Sequence, residues 1–198
     1  RYQDDKIQLS KLLTASFAIN SIIIFPWVIL VIFNVNQIVN IFLGDQWFTA
    51  IPIVQILFLS VAFTTSALLC DAVIKARGLV YFKSLKELFY ALSIAFICYF
   101  GSKYGLEIIA KGIILSSFLN LVISLAIVKH SIKVSISKIL ASASSGLFVG
   151  FLFGIIYYLL DQGLGIGDYG PISFLISLIG LVLIYFLLFI FYPNVYHE

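Results

Sequence analysis

Polar and charged residues fall in short clusters along this chain, separated by long apolar stretches. A helix needs about 20 apolar residues to cross a hydrocarbon core of about 30 Å. With the charges as punctuation, the pattern predicts six membrane-crossing helices, over residues 12–33, 48–70, 85–104, 105–128, 139–160 and 169–192. The first lies in a charge-free run from Leu12 to Gly44 and carries Pro26 at its middle. A kink there is tolerated when neighbours satisfy the freed carbonyl. The third has the shortest uncharged stretch, residues 88–102. At 1.5 Å per residue that stretch reaches about 22 Å, so Lys86, Glu87 and Lys103 are expected to snorkel at its ends. A single such helix could be the core of a soluble protein; six in succession could not. The expected fold is all-α, a single polytopic transmembrane bundle over residues 1–198.

Composition narrows the class further. Of 198 residues, 62% are hydrophobic and 11% charged, against about 45–50% and about 25% in soluble domains. A soluble globule of mean hydropathy +1.14 could not cover its surface with polar groups, whereas lipid covers the apolar faces of a membrane bundle. This excludes a cytosolic enzyme, a secreted domain, a disordered chain and a nucleic-acid binder. The basic residues then set an orientation. Arg1, Lys6 and Lys11 precede the first span; Lys75, Arg77, Lys83 and Lys86 lie between the second and third; Lys129, Lys133 and Lys138 lie between the fourth and fifth. Only Lys103 and Lys111 fall on the other side. Basic residues in short loops stay cytoplasmic, so both ends are expected inside a multi-pass protein. The lack of methionine and the opening Arg1-Tyr2-Gln3-Asp4-Asp5-Lys6 point to a fragment of a longer membrane protein, cut just before a helix.

Candidate chemistry is sparse. Gly165-Ile166-Gly167-Asp168-Tyr169-Gly170 has the letters of a dinucleotide-binding loop without its strand, and reads as a tight turn between two spans. Ser135-Ile136-Ser137-Lys138 has the spacing of a serine–lysine nucleophile pair without partner motifs, and reads as helix capping. His130 and His197 have no metal-binding set around them, and Cys70 and Cys98 read as buried, unreactive thiols. No metal, cofactor or catalytic residue is expected. Two features remain. Gly146, Gly150 and Gly154, extended backwards by Ser142, line one face of the fifth span and would admit another helix closely. The expected partner is the sixth or fourth span of the same chain, with homodimerisation as the alternative. Charges at membrane depth form i,i+4 pairs, Glu107 with Lys111 and Asp71 with Lys75, Arg77 being close to the second. The first is either a self-neutralised interfacial pair or part of a cavity; the second reads as snorkelled. Asn20, Gln55 and Asn120 are expected to hydrogen-bond between helices.

The order of landmarks resembles the C-terminal part of bacterial polysaccharide flippases, the lipopolysaccharide and colanic-acid type exporters of the multidrug/oligosaccharidyl-lipid/polysaccharide (MOP) superfamily. An arginine–acidic stretch leads to a Phe-Pro pair, matched by Arg1 to Asp5 and Phe25-Pro26. Gly-acidic-x-Trp follows as Phe42-Leu43-Gly44-Asp45-Gln46-Trp47, then Pro52-Ile53-Val54-Gln55-Ile56-Leu57, then Ala76-Arg77-Gly78. Tyr104-Gly105-Leu106-Glu107-Ile108-Ile109-Ala110-Lys111-Gly112 closes the series, with Ile108 where the family usually has glycine. The resemblance implies about the last six of roughly fourteen helices, with the N-terminal lobe missing from this chain. It also implies export of a lipid-linked oligosaccharide across the bacterial plasma membrane by alternating access, in contact with membrane lipids. In that setting Glu107 and Lys111, with Asp71, Lys75 and Arg77 behind them, are the candidates for phosphate binding and coupling. The alternatives are a cation-coupled multidrug exporter of the same fold or an integral-membrane transferase or structural subunit.

Overall fold

The computed structural model describes residues 5–164 and 171–191; the stretch from Gly165 to Gly170, expected to be a turn, His197 and the first four residues lie outside them. The described residues form seven α-helices: α1 Lys6–Phe33, α2 Val35–Phe42, α3 Ile51–Ala76, α4 Val80–Gly101, α5 Leu106–Ile132, α6 Ile136–Leu164 and α7 Pro171–Phe191, with a 3-10 turn, Asp45–Ala50, leading into α3. Helices α1, α3 to α6 are long and apolar enough to cross a bilayer, and α7 is 21 residues without a charge. The architecture is therefore the expected all-α polytopic membrane bundle.

Local signals explain the boundaries. Asp5 caps α1, its carboxylate accepting from the N–H groups of Ile7 and Gln8 at 3.0 Å; two of the donors every helix start leaves unpaired are thus satisfied. Three short connections turn at glycines with positive φ: Gly44 at 83°, Gly78 at 72° and Gly105 at 101°. These are the glycines of the three landmark motifs, and a side chain at any of them would strain the backbone. The third span differs from its expected limits of 85–104. Helix α4 runs from Val80 to Gly101, and Lys86 does not snorkel to an interface but turns inward and is buried.

The helices pack as a row, α6 against α1, α1 against α3, α3 against α5 and α5 against α4, with α2 and α7 against the far end of α1. One buried apolar cluster joins Leu9, Leu13 and Phe17 of α1 to Cys70 and Ile74 of α3, Val128 and Ile132 of α5 and Ile139 of α6. A second joins Leu30 and Val31 to Phe153 of α6 and Leu181 of α7. The first cluster brings together the starts of α1 and α6 and the ends of α3 and α5, which are the lysine-bearing ends. Cys98, expected to be buried, is exposed on α4, whereas Cys70 is buried.

The α1–α6 contact is the closest in the bundle. Gly146 lies directly on the backbone of Ser21 and Ile22, Gly150 on Phe25 and Ile29, and Gly154 on Ile29 and Phe33. The glycine face therefore meets the first span, not the sixth or fourth; small residues define a face, and only the fold chooses what fills it. Just beyond, Pro26 cannot donate to the Ile22 carbonyl. The Tyr185 hydroxyl of α7 donates to the Ile22 and Ile23 carbonyls instead, at 3.3 and 2.9 Å. At Gly146 the obstructing atoms are backbone and cannot rotate away, whereas a Cβ at Gly180 meets nothing within 4 Å. Gly146→Ala is thus expected to cost about 1–3 kcal/mol of overpacking and Gly180→Ala nothing measurable; thermal unfolding of the detergent-solubilised protein distinguishes the two.

Candidate functional site

A groove of about 880 Å³ opens between α1, α3, α5 and α6. Its walls are apolar, led by Phe17, Phe25, Phe63, Phe118 and Leu147, with Ser21 and Ser66 as interruptions. Its basic end is formed by Lys129 and His130 in the last turn of α5 and by Lys133. Lys133 closes α5 in the left-handed conformation, φ 54°, a strained state for a side chain with a Cβ. None of the lining residues is acidic. Along α5 the lining runs from Phe118 to Lys133, about 22 Å at the helical rise. Such a groove matches an amphiphile with a long apolar body and an anionic end.

A second constellation lies where α3, α4 and α5 meet. Lys86 Nζ donates to Asp71 Oδ1 at 2.5 Å and to the Ser124 hydroxyl at 2.9 Å, and Glu87 Oε1 stands 3.3 Å away. The side chains of Lys86 and Asp71 are 2% and 4% exposed and that of Glu87 is 39% exposed. Glu87 also faces Lys83 at 3.8 Å. Asp71 thus pairs with a residue of the next helix and not, as its spacing suggested, with Lys75, which is exposed at the end of α3. Arg77 follows α3, its N–H bonded to the Val73 carbonyl at 3.0 Å. A polar seam continues this site along α4 and α5. Tyr90 hydroxyl meets Ser117 hydroxyl at 3.2 Å, and Ser93 hydroxyl meets Ser116 hydroxyl at 3.0 Å.

The remaining sequence candidates fall elsewhere. Lys111 and Glu107 bond each other at 2.7 Å and remain 62% and 57% exposed; neither lines the groove. Asn20 reaches Thr65 and Ser66 of α3 at 3.5 Å, and Gln55 donates to the Ile32 carbonyl at 3.2 Å. Asn120 is buried, its carboxamide oxygen without a hydrogen-bond partner among the described residues. Sequence reasoning missed Asn34. Fully buried between α1 and α2, it donates to the Leu30 carbonyl at 2.9 Å and accepts from Tyr157 of α6 at 3.3 Å and Ser177 of α7 at 3.1 Å. An asparagine placed directly after the apolar run 22–33 was the available signal. His130 belongs to the groove, and the described residues hold no group of three potential metal ligands.

Residues 1–52, the stretch that holds α1, α2 and the 3-10 turn, match a family model described as a polysaccharide biosynthesis protein. Curated proteins and solved structures give no match. The N-terminal part of this membrane bundle, with Pro26, Asn34 and Gly44, is therefore similar to proteins of polysaccharide biosynthesis.

The two ion pairs should separate on substitution. Asp71→Ala takes from the buried lysine its nearest carboxylate and leaves it Glu87 at 3.3 Å, an expected cost of about 1.5–3 kcal/mol, whereas Glu107→Ala removes an exposed i,i+4 pair worth about 0.2–0.5 kcal/mol. Thermal unfolding in detergent reads both.

Proposed function

We propose that this chain is the C-terminal part of a flippase, one that exports lipid-linked oligosaccharide across the bacterial plasma membrane by alternating access. The observation that supports it is an apolar groove with one basic end, in a membrane bundle whose first 52 residues match a polysaccharide biosynthesis family. A saccharide joined to a lipid through pyrophosphate carries charge that cannot enter hydrocarbon unpaired. Lys129 and Lys133 offer cations to that phosphate and His130 a ring N–H, while the phenylalanine-rich wall accepts the lipid chain. The basic end faces the cytoplasm by the distribution of lysine and arginine, so substrate is taken up there. The partners are the lipid-linked oligosaccharide, the surrounding lipids and the N-terminal lobe of the same protein. No bond is made or broken, and no residue acts as a catalyst.

The test is surface polysaccharide in a flippase-deficient strain carrying the full-length protein. Lys129→Ala combined with Lys133→Ala removes two charge-assisted contacts and is expected to lower export at least about tenfold at normal protein level. Undiminished export would detach the groove from transport, and restored drug efflux without polysaccharide would favour a multidrug exporter. Exchanging the exposed pair, Glu107→Lys with Lys111→Glu, is expected to leave export at the parental level, since the bridge re-forms in reverse; loss of export at normal protein level would return both residues to the mechanism.

A further inference from the structure

Helix α4 is held differently from its neighbours. Its fully buried residues are Lys86 and Gly101, and no residue of α4 belongs to either buried apolar cluster. Its described side-chain contacts to α3 and α5 include the Lys86 ion pair and the hydroxyl pairs of Tyr90 and Ser93. A polar seam can be exchanged for other polar partners, whereas an interlocked apolar one resists sliding because its packing is bistable.

The two ends of α4 are also unlike. At its C-terminal end it interlocks with α5: a Cβ at Gly101 would lie 2.7 Å from Ile109 Cγ1, and Ile97 of α4 fills the space over Gly112. At its N-terminal half it is held by Lys86. Gly78 and Gly105, the positive-φ glycines on either side of α4, each have nothing within 4 Å of a Cβ, so the flanking connections are not wedged.

We propose that α4 is the mobile helix of this bundle, pivoting at Gly101 and Gly112 and released at its other end by an exchange of the Lys86 partner. Seated, Lys86 is neutralised by Asp71 of α3 and bonded to Ser124 of α5. When α4 swings out, Asp71 stays behind on α3, but Glu87 travels with Lys86 on the same helix. Glu87 stands 3.3 Å from Lys86 Nζ and is already half solvated, so it takes over the ammonium that Asp71 relinquishes. A charge leaving a buried pair without a substitute partner is strongly opposed; the carried carboxylate removes that opposition on the lysine side. Outward movement would uncover Ser124, which is fully buried beneath Lys86 when the helix is seated. Assigning this movement to the export cycle rests on the flippase reading; the movement itself does not.

The experiment uses the full-length protein in native membranes with Cys98→Ser as parent, so that the exposed thiol of α4 does not react. Ser124→Cys is added, and its labelling by a small cationic methanethiosulfonate is timed against the parent. Labelling is expected, because α4 opens. Glu87→Gln, which leaves the Asp71–Lys86 pair in place, is expected to slow it about tenfold by removing the substitute partner. Equal or faster labelling with Glu87→Gln overturns the partner exchange, and absence of labelling at position 124 in both proteins overturns the mobile helix. Export is measured in parallel in the flippase-deficient strain. Slowed labelling with slowed export supports the proposal in full; slowed labelling with unchanged export leaves the moving helix and overturns its part in transport.

Discussion

The bundle depends on the backbone of α1 between Ser21 and Pro26. In hydrocarbon every peptide group must find its partner inside the protein, because no water is available to take its place. Pro26 breaks that condition at the Ile22 carbonyl, and Tyr185 of α7 restores it. One turn away the same strand of backbone is approached so closely by α6 that only glycine fits at position 146. A kink that needs a donor and a contact that needs a missing side chain thus occur together, and they fix where α6 and α7 sit on α1. Asn34, at the end of the same helix, adds a second tie to both.

Outward from that axis the kind of contact changes. The lysine-bearing ends of α1, α3, α5 and α6 share one apolar cluster, which behaves as a block because deforming it would open voids among close-packed side chains. Helix α4 contributes nothing to that cluster. Over residues 86–93 its inner face offers hydroxyls and one buried ammonium, while Phe82, Leu85, Phe89, Leu92 and Phe96 are exposed and suit a lipid environment. Hydrogen bonds between membrane helices average only about 0.6 kcal/mol each, so the seam is weak in proportion to its length. The buried pair at its end is the exception, strong while complete and costly when one member is lost.

The groove and the buried pair share α3 and α5 but serve different ends. Aromatic and aliphatic walls with a basic end address the chemistry of a charged lipid, and the ion pair addresses whether a helix can move. Glu107 and Lys111, which attract notice in the sequence as charges inside a span, bond to each other at the exposed face of α5 and line neither feature. A charge within an apolar run marks a place where something must compensate it, and an i,i+4 partner on the same helix is the cheapest compensation.

What the amino-acid order determined by itself was local to one helix: the long apolar runs, their approximate limits, and the glycine face of α6. Each follows from hydrophobicity or from backbone sterics, which act over a few residues. The pairing of Asp71 with Lys86 and not Lys75, the choice of α1 as the surface under Gly146, and the assembly of Lys129, His130 and Lys133 at the end of an apolar groove were decided only by tertiary structure. Each joins groups from separate helices, and a membrane helix that is apolar on all sides carries no periodic signal saying which face its neighbours will cover. The lipid solvates any of those faces equally well, so packing and hydrogen bonding between helices, invisible in a hydropathy pattern, make the choice.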